Sequence, residues 1–318
     1  MLKSKIIGSG SYLPEKVLTN FDLEEMVETT DEWIFTRSGI RERRVAAKDE
    51  LTSDLALNAS LSAINNAGID KNEIDLIIVA TATPDLTFPS TATILQRKLD
   101  MIGGFAFDVQ AVCSGFVYAL NIADNFIKTG QVKTALVVGA ETLTKIVDWN
   151  DRATCILFGD GAGAVVLQAR EGENGILNCE LHSDGRYGNI LNTTGGVSFN
   201  QRVGNIYMEG KEVFKLAVNK MSECILQNLK KCNLTTDDID LFVPHQANIR
   251  IINGVGDKLN LSEDKVIVTL ENQGNTSAAS IPIALDYALK NNRIKDGDIV
   301  VLDALGGGLT WGSVIIKW

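Results

Sequence analysis

The sequence predicts a duplicated α/β protein, with helices packed on both faces of a sheet in each half. Three observations carry this. Ile74-Asp75-Leu76 is matched by Ile239-Asp240-Leu241, and Ala119-Leu120-Asn121 by Ala284-Leu285-Asp286, both at an offset of 165 residues. Near the same offset, "TALVVGAE" (134–141) faces "DIVVLDALGGG" (298–308). Short, β-branched, apolar segments alternate with amphipathic ones, as expected where helices cover both faces of a sheet. Finally, 28 glycines against 5 prolines in 318 residues fit many tight strand–helix turns.

Strands are expected over 2–7, 76–81, 105–110, 134–139, 163–168, 240–243, 266–270 and 299–303. Helices are expected over 52–67, 90–99, 113–129, 210–231, 247–258 and 277–290. Residues 216–229, "LAVNKMSECILQNL", return apolar side chains every three to four positions. The glycine- and asparagine-rich stretch 171–209 lacks periodicity and reads as loops and short antiparallel strands. Residues 1–170 then form one half, and 171–318 the connecting segment and the other half. "IGSGSYLP" (7–14) superficially resembles a dinucleotide fingerprint. It lacks the third glycine, and Pro14 stands where a helix should run; a first strand and turn fit better.

The net charge of −10 disfavours nucleic acid as a partner of the whole body. No apolar run is long enough to span a bilayer, and the start is too short in apolar residues for a signal peptide, so no stable membrane insertion is expected. Five unevenly spaced cysteines form neither a disulfide framework nor CxxC pairs, which points to a reducing, cytoplasmic setting. The only histidines, His182 and His245, lie far apart, so no metal site is expected.

Four strand-end segments carry chemistry. In "DVQAVCSGF" (108–116) Cys113 stands where a strand gives way to a helix. Free N–H groups and the helix dipole favour a thiolate there, although a lone cysteine also fits as a core gap-filler. In "FVPHQANIRII" (242–252) His245 follows an apolar strand, placed either to donate to an oxyanion or to cap the next helix. In "ENQGNTSAAS" (271–280) Asn275 offers an uncharged amide donor or an Asx turn. The 165-residue offset sets Cys113 against Ala278, so a pseudo-twofold would bring both helix starts to one cleft. "ALGGGLTWG" (304–312) permits close backbone approach and a second oxyanion donor beside the Cys113 N–H. A Cys-His-Asn trio fits papain-like hydrolysis; it fits equally well attack on a thioester followed by decarboxylation.

"DVQAVCSGF", "VPHQANIRI", "GNTSAAS" and "GGGLTWG" together closely resemble β-ketoacyl-acyl carrier protein synthase III, the initiating condensing enzymes of bacterial type II fatty-acid synthesis. The resemblance covers essentially the whole chain. It implies a thiolase-like fold with five α-β-α-β-α layers, a homodimer, and condensation of a short acyl-coenzyme A, acetyl above others, with malonyl-acyl carrier protein. It implies Cys113 as the acylated nucleophile, His245 and Asn275 as donors to the thioester enolate, and the N–H groups of Cys113 and Gly307 as the oxyanion hole. Coenzyme A is then a substrate, and no cofactor or metal is required.

The same resemblance makes Trp33 and Arg152 a sandwich for the coenzyme A adenine and Arg37 a nearby phosphate contact. Phe88 becomes the residue a partner subunit adds to the acyl pocket, and Leu143 part of that pocket. Lys215, Arg250 and Lys258 become the basic patch that docks the acidic carrier protein. Read without it, Arg37, Arg41, Arg43 and Arg44 form a solvated face, and Arg152 is a surface ion-pair residue. Three positions depart from the family pattern: Asp257 beside Lys258, Leu305 where an aromatic is usual, and Lys211 in place of an asparagine. A related synthase of secondary metabolism, with another primer or acceptor, is the alternative. Elongating synthases need a second active-site histidine and thiolases a second cysteine; this chain offers neither in place.

Overall fold

The computed structural model describes residues 2–318. In chain order the first seven strands are β1 (Leu2–Tyr12), β2 (Lys16–Thr19), β3 (Glu42–Val45), β4 (Leu76–Ala80), β5 (Phe105–Val109), β6 (Thr134–Thr142) and β7 (Asp160–Glu171). They are followed by β8 (Gly175–Ser183), β9 (Leu191–Thr193), β10 (Ile206–Met208), β11 (Leu241–Pro244), β12 (Ile299–Gly306) and β13 (Thr310–Lys317). The helices are α1 (Asn20–Glu24), α2 (Asp31–Ser38), α3 (Thr52–Ala67), α4 (Thr91–Lys98), α5 (Gly115–Lys128), α6 (Arg152–Cys155), α7 (Val197–Asn200), α8 (Gly210–Lys231), α9 (Ile249–Lys258) and α10 (Ser280–Lys290).

Two sheets organise the chain. One runs β1-β7-β6-β4-β5 and the other β8-β13-β12-β11, with β2–β3 and β9–β10 as separate ribbons. Helices α5 and α10 lie between the sheets: Phe116, Leu120, Ile281 and Leu285 share one core with Ile78, Val137, Val300 and Leu302. Helices α3 and α4 cover the outer face of the first sheet, α8 and α9 that of the second. The result is five layers, α-β-α-β-α, as the resemblance implies.

The two halves use one strand order, so β1, β7, β6 and β4 correspond to β8, β13, β12 and β11. The expected strand at 266–270 is where the symmetry fails. Val266 makes a single bridge to Phe242, and the chain then turns into a 3₁₀ turn at Leu270–Asn272. The Gln246 side chain explains this: it donates to the Ile267 carbonyl (3.0 Å) and accepts the Thr269 N–H (2.8 Å). A side-chain amide thus takes backbone groups that a ladder would pair. The stretch 171–209 does hold antiparallel strands among loops, β8 to β10, although β8 is nine residues long and pairs along β13; 310–317 is a further strand that the periodicity did not reveal.

"IGSGSYLP" is neither a fingerprint nor a turn. Strand β1 continues to Tyr12 across a register shift between Ile6 and Gly8. A Cβ on Gly8 or Gly10 would stand 2.4 Å from a carbonyl of α3, so glycine lets that helix lie directly on the strand.

Candidate active site

The central helices start later than expected, at Gly115 and Ser280, because a 3₁₀ turn precedes each (Val112–Ser114 and Ser277–Ala279). Each turn opens on a non-glycine residue in the left-handed region, Val112 at φ 47° and Ser277 at φ 49°. Such geometry persists only where the surroundings enforce it. At Cys113 they do. Ser114 Oγ donates to the Ala111 carbonyl (2.8 Å) and shares a hydrogen bond with Thr310 Oγ1 (2.8 Å), which pins the turn to β13. Gly306 abuts it: a Cβ there would lie 2.7 Å from the Cys113 nitrogen.

One cleft of about 1960 Å³ is lined by Trp33, Arg37, Cys113, Leu143, His245, Arg250, Asn275 and Gly307. Sequence reasoning therefore placed eight residues from both halves on one cavity. Cys113 lies at its buried end, 6% exposed. Burial pushes its thiol up to about 12; the Ser277 hydroxyl opposes the rise and the Glu141 charge adds to it. In the resting protein the thiol keeps its proton, against the expectation from the helix dipole alone.

His245 follows β11 and lies outside α9, which begins at Ile249. Arg250 is therefore on that helix, and His245 lies in the segment between β11 and α9. The His245 N–H donates to the Asp303 carbonyl (2.8 Å), and its Nδ1 pairs with Ser280 Oγ (2.6 Å). Burial depresses its basicity to about 3, so the ring is neutral. Asn275 is fixed from three sides: its N–H donates to the Leu157 carbonyl (2.8 Å), its carbonyl accepts from Gly159, and its Oδ1 accepts the Ser277 N–H (2.8 Å). The last bond identifies the oxygen of the amide and leaves Nδ2 as the free donor. Among the described residues, neither the Cys113 nor the Gly307 N–H donates to a protein acceptor.

At the mouth, Arg37 and Arg152 lie against the Trp33 ring, with guanidinium carbons 4.3 and 4.6 Å from its centroid. Arg152 also donates to the Glu28 carbonyl (2.7 Å). An aromatic ring inserted between two planes needs roughly 7 Å, two contact distances. Arg152 must therefore swing aside before it can sandwich a base. Lys215 and Arg250 are exposed, and Arg250 lies over Phe214. Lys215 is a full turn into α8 rather than at its start. Lys258 is exposed but donates to Asn219 Oδ1 (2.5 Å). Phe88 does not line the cleft and is 83% exposed.

Arg43 departs furthest from its sequence reading as part of a solvated face. It is fully buried and donates to the carbonyls of Leu18 and Ile156 and to Asn20 Oδ1. Its Cβ fills the space beside Gly159 and Gly274, which flank the Asn275 bridge. No spacing signal marked it: of its three charged neighbours in "RERRV", Arg41 is exposed and Glu42 and Arg44 are half-buried, while Arg43 alone is buried.

The family comparisons agree with this geometry. Two family models match, 3-Oxoacyl-[acyl-carrier-protein (ACP)] synthase III over residues 107–185 and the C-terminal model of the same name over 229–318. A "Beta-ketoacyl-[acyl-carrier-protein] synthase III" of Paramagnetospirillum magneticum is 56% identical over 322 residues, covering 100% of this chain and 99% of its own. The chain belongs to the β-ketoacyl-[acyl-carrier-protein] synthase III family. The synthase III of Ehrlichia canis is 56% identical over the full length of both chains. The crystal structure of 3-oxoacyl-[acyl-carrier-protein] synthase III from Aquifex aeolicus superposes with a TM-score of 0.95 at 49% identity, covering 99% of this chain and 100% of that one. The thiolase-like fold and the family's reaction follow. As a synthase III, the chain is an enzyme that condenses an acyl-coenzyme A with malonyl-acyl carrier protein to give 3-oxoacyl-acyl carrier protein. Among the described residues, no helix is long and apolar enough to cross a membrane.

Proposed function

We propose that the reaction runs in two halves through an acyl group on Cys113, with acetyl-coenzyme A as the preferred donor. The carrying observation is that Cys113, His245 and Asn275, from three separate loops of the two halves, line one cavity. In the first half the Cys113 thiolate attacks the thioester carbonyl. The unspent N–H groups of Cys113 and Gly307 hold the oxyanion, and coenzyme A leaves. Losing one such donor costs about 3 kcal/mol, on the order of a hundredfold in rate.

In the second half malonyl-carrier protein enters the same cleft. Ser280 Oγ accepts the Gln246 N–H (3.3 Å), and among the described residues the acceptor within reach of its own proton is His245 Nδ1 (2.6 Å). Nε2 then carries the ring proton and donates toward the cleft beside Asn275 Nδ2. The two donors stabilise the enolate as carbon dioxide departs. The carbanion attacks acyl-Cys113, the cysteine leaves as thiolate, and 3-oxoacyl-carrier protein forms.

Coenzyme A enters past Trp33, Arg37 and Arg152, and Leu143 bounds the acyl pocket. Arg250 and Lys215 form the carrier-docking patch beside the mouth, with Lys258 at its edge. The exposure of Phe88 supports a homodimer in which that ring reaches the partner's acyl pocket. The test is intact-mass analysis with acetyl-coenzyme A and peptide mapping, before and after malonyl-carrier protein. An acetyl group on Cys113, discharged only by the malonyl substrate, supports the reading. No adduct with acetyl or with branched and longer acyl thioesters overturns it. Discharge by malonyl-coenzyme A in preference to the carrier form would favour a secondary-metabolic synthase.

A further inference from the structure

Glu141 is the penultimate residue of β6 and is fully buried. Four hydrogen bonds converge on its carboxylate. The Ala82 N–H donates to both oxygens (3.2 and 3.1 Å), and the hydroxyls of Thr81 (3.3 Å) and Thr83 (2.6 Å) donate to Oε2. Among the described residues no cation faces it: the groups around it are these three, Ser277 and Cys113. The nearest other carboxylate on its strand's neighbours, Asp160, is turned to Ala46 and Thr144. His245 lines the cleft and is held by Ser280.

Between Glu141 and Cys113 stands Ser277. It is buried, its Oγ has no hydrogen-bond partner among the described residues, and it neighbours both the thiol and the carboxylate. The turn that carries it packs against both β6 and the Cys113 turn. Thr81 and Thr83 already spend their protons on the carboxylate; only the Ser277 hydroxyl has both a donor and an acceptor site unused.

We propose that Ser277 and Glu141 form the route by which the Cys113 thiol loses its proton during acylation. This rests on Cys113 being the acylated residue. The S–H proton passes to Ser277 Oγ as Ser277 passes its own proton to a Glu141 oxygen. The thiolate then bonds to the acyl carbon, and the bond from that carbon to the coenzyme A sulfur breaks with its electron pair on the sulfur. The proton returns from Glu141 through Ser277 to that sulfur, so one thiol is consumed and one released, and Glu141 is a carboxylate again. Glu141 touches no substrate; it acts through Ser277 as a positioning residue. Burial holds its carboxyl up at about 7, close enough to neutrality to take and return a proton.

The test is the rate of the acylation half-reaction, read by rapid-quench mass analysis of Cys113 from pH 6 to 9. The wild-type rate should rise through about pH 7, as Glu141 becomes a carboxylate. Glu141→Gln and Ser277→Ala should each lose that rise and acylate roughly a hundredfold more slowly at pH 8, with coenzyme A binding unchanged. Ser277→Ala leaves the Glu141 cradle intact, so it decides the matter if the glutamine variant is poorly folded. A wild-type-like rate and profile in Ser277→Ala would overturn the route. Wild-type protein that takes no acyl group on Cys113 would instead overturn the function proposed above.

Discussion

Val112 and Ser277 hold the same left-handed backbone, φ 47° and 49°, at equivalent points of the two repeats. Each opens a 3₁₀ turn that leads into a central helix, yet only the first turn carries a thiol. The duplicated backbone thus supplies two helix entrances at one cleft, and the side chains divide the work. One presents Cys113; the other presents Ser277 and fixes Asn275 through its N–H.

The strain at Val112 is testable. A β-branched residue at positive φ costs on the order of 1–3 kcal/mol, which glycine would relieve while loosening the turn. Val112→Gly should leave the melting temperature unchanged or higher, yet acylate Cys113 more slowly. A lower melting temperature with full acylation would show that the turn is not strained and does not position the thiol.

His245 and Asn275 should separate from Cys113 in kinetics. Cys113→Ala abolishes both half-reactions. His245→Ala and Asn275→Ala should spare acylation and slow condensation on the order of a hundredfold or more, the loss of an oxyanion-type donor. Because burial keeps His245 neutral down to about pH 3, condensation should show no acid limb near the usual histidine value of about 6.5. Stability has the matching sign. The unfolded ring takes up a proton below about 6.5 while the folded one does not, so this contribution is present above that pH and is lost as pH falls from about 6.5 toward 3. Equal loss of both half-reactions in all three variants would sink the division of labour.

Arg43 links the first half to the Asn275 bridge without touching the cleft. Its guanidinium donates to three oxygens and, among the described residues, forms no ion pair; burial lowers its basicity to about 10, against the opposing charges of Cys155, Glu42 and Asp22. Lysine cannot reproduce the planar fork. Arg43→Lys should destabilise by about 2–4 kcal/mol, since acceptors left unpaired inside the protein carry their desolvation cost. It should also slow condensation more than acylation, because Asn275 lies beside it. Unchanged stability in a denaturant titration would refute this account.

How far the sequence carried the fold depends on which atoms make the bonds. The repeat was legible because Ile-Asp-Leu recurs before β4 and β11. The cleft was legible because Cys113, His245 and Gly307 follow strands, and Asn275 precedes the second central helix as the Cys113 segment precedes the first. What escaped was set by side-chain bonds across long separations. Gln246 dissolves the strand at 266–270, and Arg43 turns inward amid outward-facing charges. Nothing in "VVGAE" shows that the Glu141 carboxylate meets Thr81, Ala82 and Thr83. Burial, too, is a property of the whole fold, which is why the dipole argument for a Cys113 thiolate did not foresee a thiol near 12.

Asp303 offers the last test, away from the chemistry. It is fully buried on β12, and among the described residues neither carboxyl oxygen has a hydrogen-bond partner. Burial holds its carboxyl well above the usual carboxylate range. The sign is opposite to that of His245. The unfolded side chain gives up its proton above about 3.8 while the folded one retains it, so stability falls as pH rises from there until the folded group also ionises. Asp303→Asn keeps the shape and removes the proton. It should raise the melting temperature at pH 8 and change it little at pH 4, flattening the profile between. The main chain that ties Asp303 to His245 is unaltered, so both half-reactions should survive. A variant less stable than wild type at pH 8 would mean that the carboxyl is paired in solution, and that the strand tolerates its burial for that reason.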